Sequence, residues 1–432
     1  MEIQHGIADF DLAEDVVSLA HLGLTAKPDR SYNIFVLHPS HFLTDHRPHG
    51  DGLLAFQFLT RLAKRGHQVH VAVSMRSIQS EIPANLHLYD IKTRSAASID
   101  GGGPINRIEF SLRAGALFRK LSKKIRFDVA HQFNPVLYGL CFFANFGKTP
   151  LVMGPVPPTW PRGTVHPDSL KRRAIDALKD PLLRFQYRRA VRVLPASPVL
   201  LTTPQFSRLP PGKAKVLSYG IDTNFFTPEG PERLPSKPTV LFIANLWFGK
   251  GIFTLLDAFE HVHNAMPEAR LIIAGKGTDE SKVRERMHTH PARSRIAMIG
   301  NIERERVPSV LRNCTVYCLP SFGEPFGMTA LEAMSCGRAT VTTNTGGLSC
   351  LATEEGTFQV SPGQPGALAE ALLRVLSNSQ LAAQMGKHNR EHVLRNYEWD
   401  VILTQLENTY AGVCATKQVD NLPAAIAPTC SE

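Results

Sequence analysis

Apolar residues in this chain follow two alternating rhythms from residue 33 onward. Short runs such as Asn33-Ile34-Phe35-Val36-Leu37 and Gln68–Val73 have the length and branched content of strands covered on both faces. Between them, Leu53–Arg65 places apolar side chains every three or four positions, the period of a helix lying on a sheet, and Gly66 ends it. A loop containing Gly50-Asp51-Gly52 joins the first strand to that helix. This β-loop-α-β unit is the start of a parallel, doubly wound sheet. Further strands are expected at Val129-Ala130-His131, Leu151-Val152-Met153 and Ala190–Leu194, with a turn at Gly154–Pro158.

The alternation restarts after Thr227–Pro235, whose three prolines read as a linker. Thr239–Ala244 and Arg270–Ala274 read as strands and Phe253–Asn264 as the helix between them, and the pattern repeats to about Leu376. A last helix, Trp399–Val413, follows once the second set of strands is used up, and is expected to pack back on the first. The fold class is therefore α/β, with two Rossmann-like domains facing a cleft. The expected division is an extension over 1–30, a first Rossmann-like domain over 31–226, a linker over 227–238 and a second Rossmann-like domain over 239–395. A crossing helix over 396–414 and a tail over 415–432 complete it.

At 432 residues the chain is long enough for two cores. No stretch approaches the ~20 apolar residues of a spanning helix, and the acidic start lacks the order of a secretory leader. Seven scattered cysteines suit reduced thiols, so a cytoplasmic place is expected, with the inner face of a membrane as a further option. The net charge of +10 is concentrated: residues 107–192 hold 17 Lys and Arg against 5 Asp and Glu. A helix over Ser111–Arg126 would set Ala114, Leu117, Phe118, Leu121 and Ile125 on one face. Arg113, Arg119, Lys120, Lys123, Lys124 and Arg126 would surround it, a candidate patch for an anionic bilayer rather than for nucleic acid.

Candidate chemistry concentrates in Pro320–Gly337. An apolar strand, Thr315–Leu319, runs into a loop that opens a short helix ended by Gly337. The first amides of a helix point outward at the positive end of its dipole, so those of Phe326, Gly327, Met328 and Thr329 suit a diphosphate. Gly327 has no side chain to obstruct the approach. Glu324 and Glu332 are acceptor-only groups suited to the hydroxyl pairs of a sugar and a ribose. Asp9-Phe10-Asp11 lies in the extension, away from any strand end, so no metal site is expected. Gly275-Lys276-Gly277 lacks the third glycine of a dinucleotide fingerprint.

The segment resembles the GT4 family of retaining, GT-B-fold glycosyltransferases, with its Glu-x7-Glu within Glu-Pro-Phe-Gly. Further runs that resemble the family's are Ser218–Phe226, Gly249-Lys250-Gly251, Leu271–Gly277, Val341–Gly347 and Tyr397-Glu398-Trp399-Asp400. The resemblance implies a nucleotide-sugar donor, UDP- or GDP-linked, with no other cofactor, and a sugar, lipid or small-molecule acceptor. It implies Glu324 on the donor sugar, Glu332 on the ribose, Lys250 on the diphosphate, and Gly50, Asp51, Gly52, His131 and Gly154 on the acceptor side. His131 joins Glu324 and Lys250 as the expected catalytic set. Asn245 stands where the family has an arginine, and Cys350 where it has a glutamate. These departures motivate an alternative, a binding protein without turnover; a GT-B-fold sugar-nucleotide 2-epimerase is another. The oligomeric state is left open.

Overall fold

The computed structural model describes residues 30–38, 42–47, 50–93, 104–133, 143–157, 181, 183–231 and 235–419. The Asp9-Phe10-Asp11 run, Pro158, Cys141, Cys430 and most of the expected extension and tail lie outside them.

The first sheet is built from β1 (Asn33–His38), β3 (Gln68–Val73), β5 (Leu86–Asp90), β6 (Val129–Gln132), β7 (Leu151–Val156) and β8 (Arg192–Pro195). A two-stranded parallel ribbon, β2 (Leu43–Thr44) with β4 (Arg76–Ser77), stands beside it. The second sheet is built from β9 (Thr239–Ile243), β10 (Arg270–Ala274), β11 (Ile296–Gly300), β12 (Val316–Leu319), β13 (Ala339–Thr343) and β14 (Thr357–Val360). Their orders are β5-β3-β1-β6-β7-β8 and β11-β10-β9-β12-β13-β14, the same winding twice. Each order reverses beside its first strand, at β1/β6 and at β9/β12. Those points fix where a crevice opens at the strands' carboxyl ends.

Both faces of β1 are buried, which explains its unbroken apolar run. Ile34 and Val36 join one core, while Phe35 and Leu37 join a second made by Phe110, Phe118, Phe127 and Phe146. The first core does not stop at the domain edge. It continues through Leu217, Tyr219 and Phe226 into the second sheet, and through Trp399, Leu406 and Tyr410 of the last helix.

That helix, Trp399–Val419, packs back on the first domain as expected. Trp399 meets Phe58 edge-on at 4.7 Å, and Tyr410 meets Tyr32 at 5.9 Å. Two of the motif runs meet here too: the Ile221 amide donates to the Tyr397 carbonyl at 2.8 Å. The polar lock is Glu407, only 6% exposed, which accepts from Arg65 at 2.7 Å and from His67 Nε2 at 2.9 Å. His67 Nδ1 accepts from the Tyr32 amide, so the ring is the Nε2–H tautomer. Burial alone would raise the Glu407 carboxyl, but His67 and then Arg65 outweigh it and hold it below the usual range.

Three sequence expectations change. Gly50-Asp51-Gly52 is no loop but the first turn of the helix Gly50–Lys64. The expected turn at Gly154 is strand, because β7 continues to Val156. The basic helix spans Pro104–Leu121, since Asn106 and Phe110 extend the sheet-facing stripe of Ala114 and Phe118 toward its start; Lys123, Lys124 and Arg126 follow its end. Among the described residues no helix is long and apolar enough to cross a membrane.

Removing one partner of a buried ion pair strands the other, so Glu407→Ala should cost about 3–5 kcal/mol at pH 7. Because the folded carboxyl titrates below its unfolded value, the pair's contribution is present above about pH 4.3 and disappears as pH falls through the folded value. Denaturant titrations of both proteins at pH 7 and pH 3 check this. The gap should be wider at the first than at the second.

Candidate active site at the carboxyl edge of the second sheet

β12 ends in the loop 320–327, which leads into the helix Met328–Ser335. Two turns from neighbouring strands grip this loop. From the turn after β9, the Gly249 carbonyl accepts from the Phe322 amide and the Ser321 hydroxyl, both at 2.9 Å. A Cβ on Gly251 would lie 1.8 Å from the Pro320 carbonyl oxygen, so only glycine permits this approach. From the turn after β13, the Gly347 amide donates to the Glu324 carbonyl at 2.7 Å. A Cβ on Gly346 would lie 2.2 Å from that same oxygen.

The grip brings Lys250 Nζ to 2.5 Å from Glu324 Oε2, with both side chains largely buried. Such charge-assisted contacts are roughly twice as strong as neutral hydrogen bonds. Beyond them the helix opens with Gly327 as its N-cap, so the Met328 and Thr329 amides lack intrahelical acceptors. A side chain on Gly327 would meet Leu348 Cδ2 at 2.6 Å, a second reason for glycine there. Thr329 Oγ1 is held at 2.7 Å from the Tyr317 hydroxyl.

Glu332 lies one turn further along, half-buried, with no hydrogen-bond partner among the described residues. Burial pushes its carboxyl up to about 7, against a smaller pull from Arg304. A carboxylate left without donors inside a cleft is poised for hydroxyls supplied by a ligand. Asn245, just past β9, is exposed, and Cys350 is half-buried on the short helix Gly346–Leu351. Glu324, Phe326, Gly327, Met328, Thr329 and Glu332 thus lie on one loop and helix, and Lys250 reaches Glu324 from the turn after β9. Among the described residues no group of three or more His, Cys, Asp or Glu is arranged to hold a metal.

From the first domain, Asp51 is half-buried in its helix turn and lies near Tyr219, whose hydroxyl is raised chiefly by burial and then by Asp51. Tyr219 in turn meets Phe326 edge-on at 4.9 Å, which ties that helix start to the loop. Sequence reasoning passed over Tyr219 because its signal, an aromatic beside a motif glycine, is indistinguishable from core. His131 is a different matter. It is fully buried on β6, with Nε2 donating to the Gly154 carbonyl at 3.0 Å and Nδ1 accepting from the Tyr410 hydroxyl at 2.5 Å. Burial lowers it to about 3, so it is a neutral bridge between sheet and last helix with neither ring nitrogen left for a ligand. Gly154 is likewise spent, its carbonyl on His131.

Two family profiles match the chain in succession: Glycosyltransferase Family 4 over residues 50–225 and Glycosyl transferases group 1 over residues 227–392. The phosphatidyl-myo-inositol mannosyltransferase of Mycobacterium tuberculosis is 27% identical over 367 residues, 82% of this chain and 90% of that protein. A component of the Arabidopsis thaliana phosphatidylinositol N-acetylglucosaminyltransferase is 27% identical over 204 residues, 47% of this chain. That match spans only 45% of the Arabidopsis protein, so the chain covers about half the length of such relatives. Among solved structures, sucrose-phosphate synthase from Thermosynechococcus elongatus superposes with a TM-score of 0.69 at 21% identity, over 89% of this chain and all of that one. Anabaena HepE in complex with UDP and glucose does so at 0.63 and 17%, over 88% and 99%. These likenesses carry the GT-B fold.

The raised carboxyl of Glu332 has a stability consequence. The folded state holds this proton more tightly than the unfolded one, so stability falls as pH rises from about 4.3 to about 7 and stays lower above. Glu332→Gln should remove that loss and raise stability at pH 8 by about 1 kcal/mol, given partial exposure. Thermal melts of both proteins from pH 4.5 to 8 test it; parallel curves would refute it.

Proposed function

We propose, since this chain belongs to the GT4-type glycosyltransferases of group 1, that it transfers a sugar with retention from a UDP- or GDP-sugar to a hydroxyl acceptor. The observation that carries this reading is the convergence of the Lys250–Glu324 pair and the partnerless Glu332 carboxyl on the start of the helix Met328–Ser335. Glu332 takes the ribose hydroxyls. The Met328 and Thr329 amides and Lys250 take the diphosphate, and Glu324 takes hydroxyls of the donor sugar.

In the reaction the bond from the anomeric carbon to the leaving phosphate oxygen breaks and the acceptor oxygen bonds to the same face of that carbon. The acceptor proton passes to the departing diphosphate. Negative charge grows on the diphosphate as that bond breaks, so Lys250 and the helix start stabilise the transition state more than the bound donor. The pair with Glu324 keeps Lys250 pointed at the site beforehand. Titration of the full chain with UDP and GDP tests the donor reading. Glu332→Ala should weaken binding of the preferred nucleotide by about 1.5–3 kcal/mol. Lys250→Ala should lower kcat far more than it weakens donor binding, and EDTA should leave turnover intact. A Glu332→Ala protein that binds as tightly as its parent would sink the site assignment.

A membrane-borne acceptor is favoured by one specific face. On the helix Pro104–Leu121, Ile105, Ile108 and Leu112 are 79%, 40% and 52% exposed at i, i+3 and i+7, and exposed Arg119 extends the same stripe. Lys120, Lys123, Lys124 and Arg126 stand exposed beside it. An apolar stripe bordered by cations suits an anionic bilayer, each cation contributing about 1 kcal/mol near its surface. The protein should co-sediment with phosphatidylserine vesicles at low salt and be released at high salt, and Ile105→Asp with Leu112→Asp should abolish the binding. A parent that stays in the supernatant at low salt would instead favour a soluble acceptor.

A further inference from the structure

The first sheet holds a second set of polar groups that the donor chemistry does not use. Gln132 closes β6 and is fully buried, paired in register with Leu37 of β1 and Met153 of β7. Alternation along β6 sends Val129 and Phe133 into one core and Ala130 into the other, so Gln132 belongs to the aromatic layer of Phe35, Phe110 and Phe118. Neither its Oε1 nor its Nε2 has a hydrogen-bond partner among the described residues. A leucine would fill that position without desolvating an amide, so the fold alone gives no reason for glutamine.

Two further groups share the edge. Asn106 heads the stripe Asn106, Phe110, Ala114 and Phe118 of the covering helix. That helix runs antiparallel to β6, so its first turn stands over the strands' carboxyl ends. Asn106 is 7% exposed and its Oδ1 has no partner among the described residues. Ser197, two residues past β8 and 2% exposed, has a hydroxyl with no partner among them. The 3-10 turn that follows it, Pro198–Thr202, packs against the helix Gly346–Leu351, whose first residues grip the Glu324 loop. This edge therefore adjoins the donor site, and Gln132 sits where the strand order reverses between β1 and β6.

We propose that Gln132, with Asn106 and Ser197 at the same carboxyl edge of the first sheet, recognises a neutral vicinal diol of the acceptor, a sugar or polyol ring. A carboxamide offers a donor and an acceptor side by side, and adjacent hydroxyls answer both at once. Gln132 carries no charge, which matches hydroxyls rather than phosphate. The ring edge entering from the cleft satisfies the amide that is stranded in the unliganded chain. This specificity rests on the transferase reading above, but its test does not require turnover.

The test is direct binding of methyl α-glucopyranoside, methyl α-mannopyranoside and myo-inositol to the full chain, by saturation-transfer NMR in the presence of UDP. The parent should bind at least one of them, and Gln132→Leu should weaken that binding tenfold or more with UDP affinity unchanged. Gln132→Leu should also melt no lower than the parent, since an unpaired buried amide is gone. If Gln132→Leu does not fold, Asn106→Ala and Ser197→Ala carry the same expectation. Parent and variant binding the rings equally, or no ring binding to the parent, would overturn the proposal. UDP affinity in the same samples reports separately on the donor site, so its loss would count against the transferase reading instead.

Discussion

Close contact of three backbone turns at the carboxyl ends of β9, β12 and β13 is the constraint on which the donor side depends. A parallel sheet delivers its loops to one edge, but nothing in that topology brings them within van der Waals reach. Here the Pro320 carbonyl sits where a Gly251 side chain would be, and the Glu324 carbonyl where a Gly346 side chain would be. With both contacts made, Glu324 has one place to go, against Lys250, and the helix Met328–Ser335 starts at a fixed point. Any side chain at those glycines would push the middle turn outward and separate the charged pair, though neither glycine would touch a ligand.

A second constraint runs through the last helix. By crossing back to the first domain it makes one continuous apolar core from two sheets, and Arg65, His67 and Glu407 fasten it where the aromatic contacts end. His131 belongs to this fastening. Its ring spans the gap between the Gly154 carbonyl and the Tyr410 hydroxyl, and burial keeps it neutral as that double role demands. The two sheets are thus joined by buried polar contacts as well as by a shared apolar core.

Much of this was legible in the residues. Period-two and period-3.6 runs found the central strands and helices because those elements are covered by one kind of surface along their length. The loop and helix were legible for a different reason: glycine, proline and two carboxylates stand there at the fixed spacing that carries the family resemblance. What failed did so where local sequence is degenerate. Gly50-Asp51-Gly52 reads as a loop, yet an acidic residue near a helix N-terminus is favourable, and the helix absorbs both glycines. The basic helix was misplaced because Ile125 continues its apolar spacing past its end, while the true start is marked by an asparagine in a core position. A histidine at a strand end carries the same letters whether it faces a cleft or bridges two buried oxygens, so His131 could be resolved only by tertiary contacts.

The two sheets share one further feature that neither constraint explains. In each, the fourth strand lies beside the first at the point where the order reverses, and each places a costly polar group there: Gln132 at the end of β6, and Glu332 on the helix that follows β12. Packing would favour an apolar residue at the first position, and a neutral one would relieve the desolvation at the second. Local choices in a well-folded chain tend to agree with the global fold, and the places where they disagree are where function is carried. One disagreement falls at the end of the fourth strand of its sheet and the other on the helix that follows the fourth strand, the first short of donors and acceptors, the second short of donors alone. The ribose and acceptor hydroxyls proposed for the two groups would relieve one cost each.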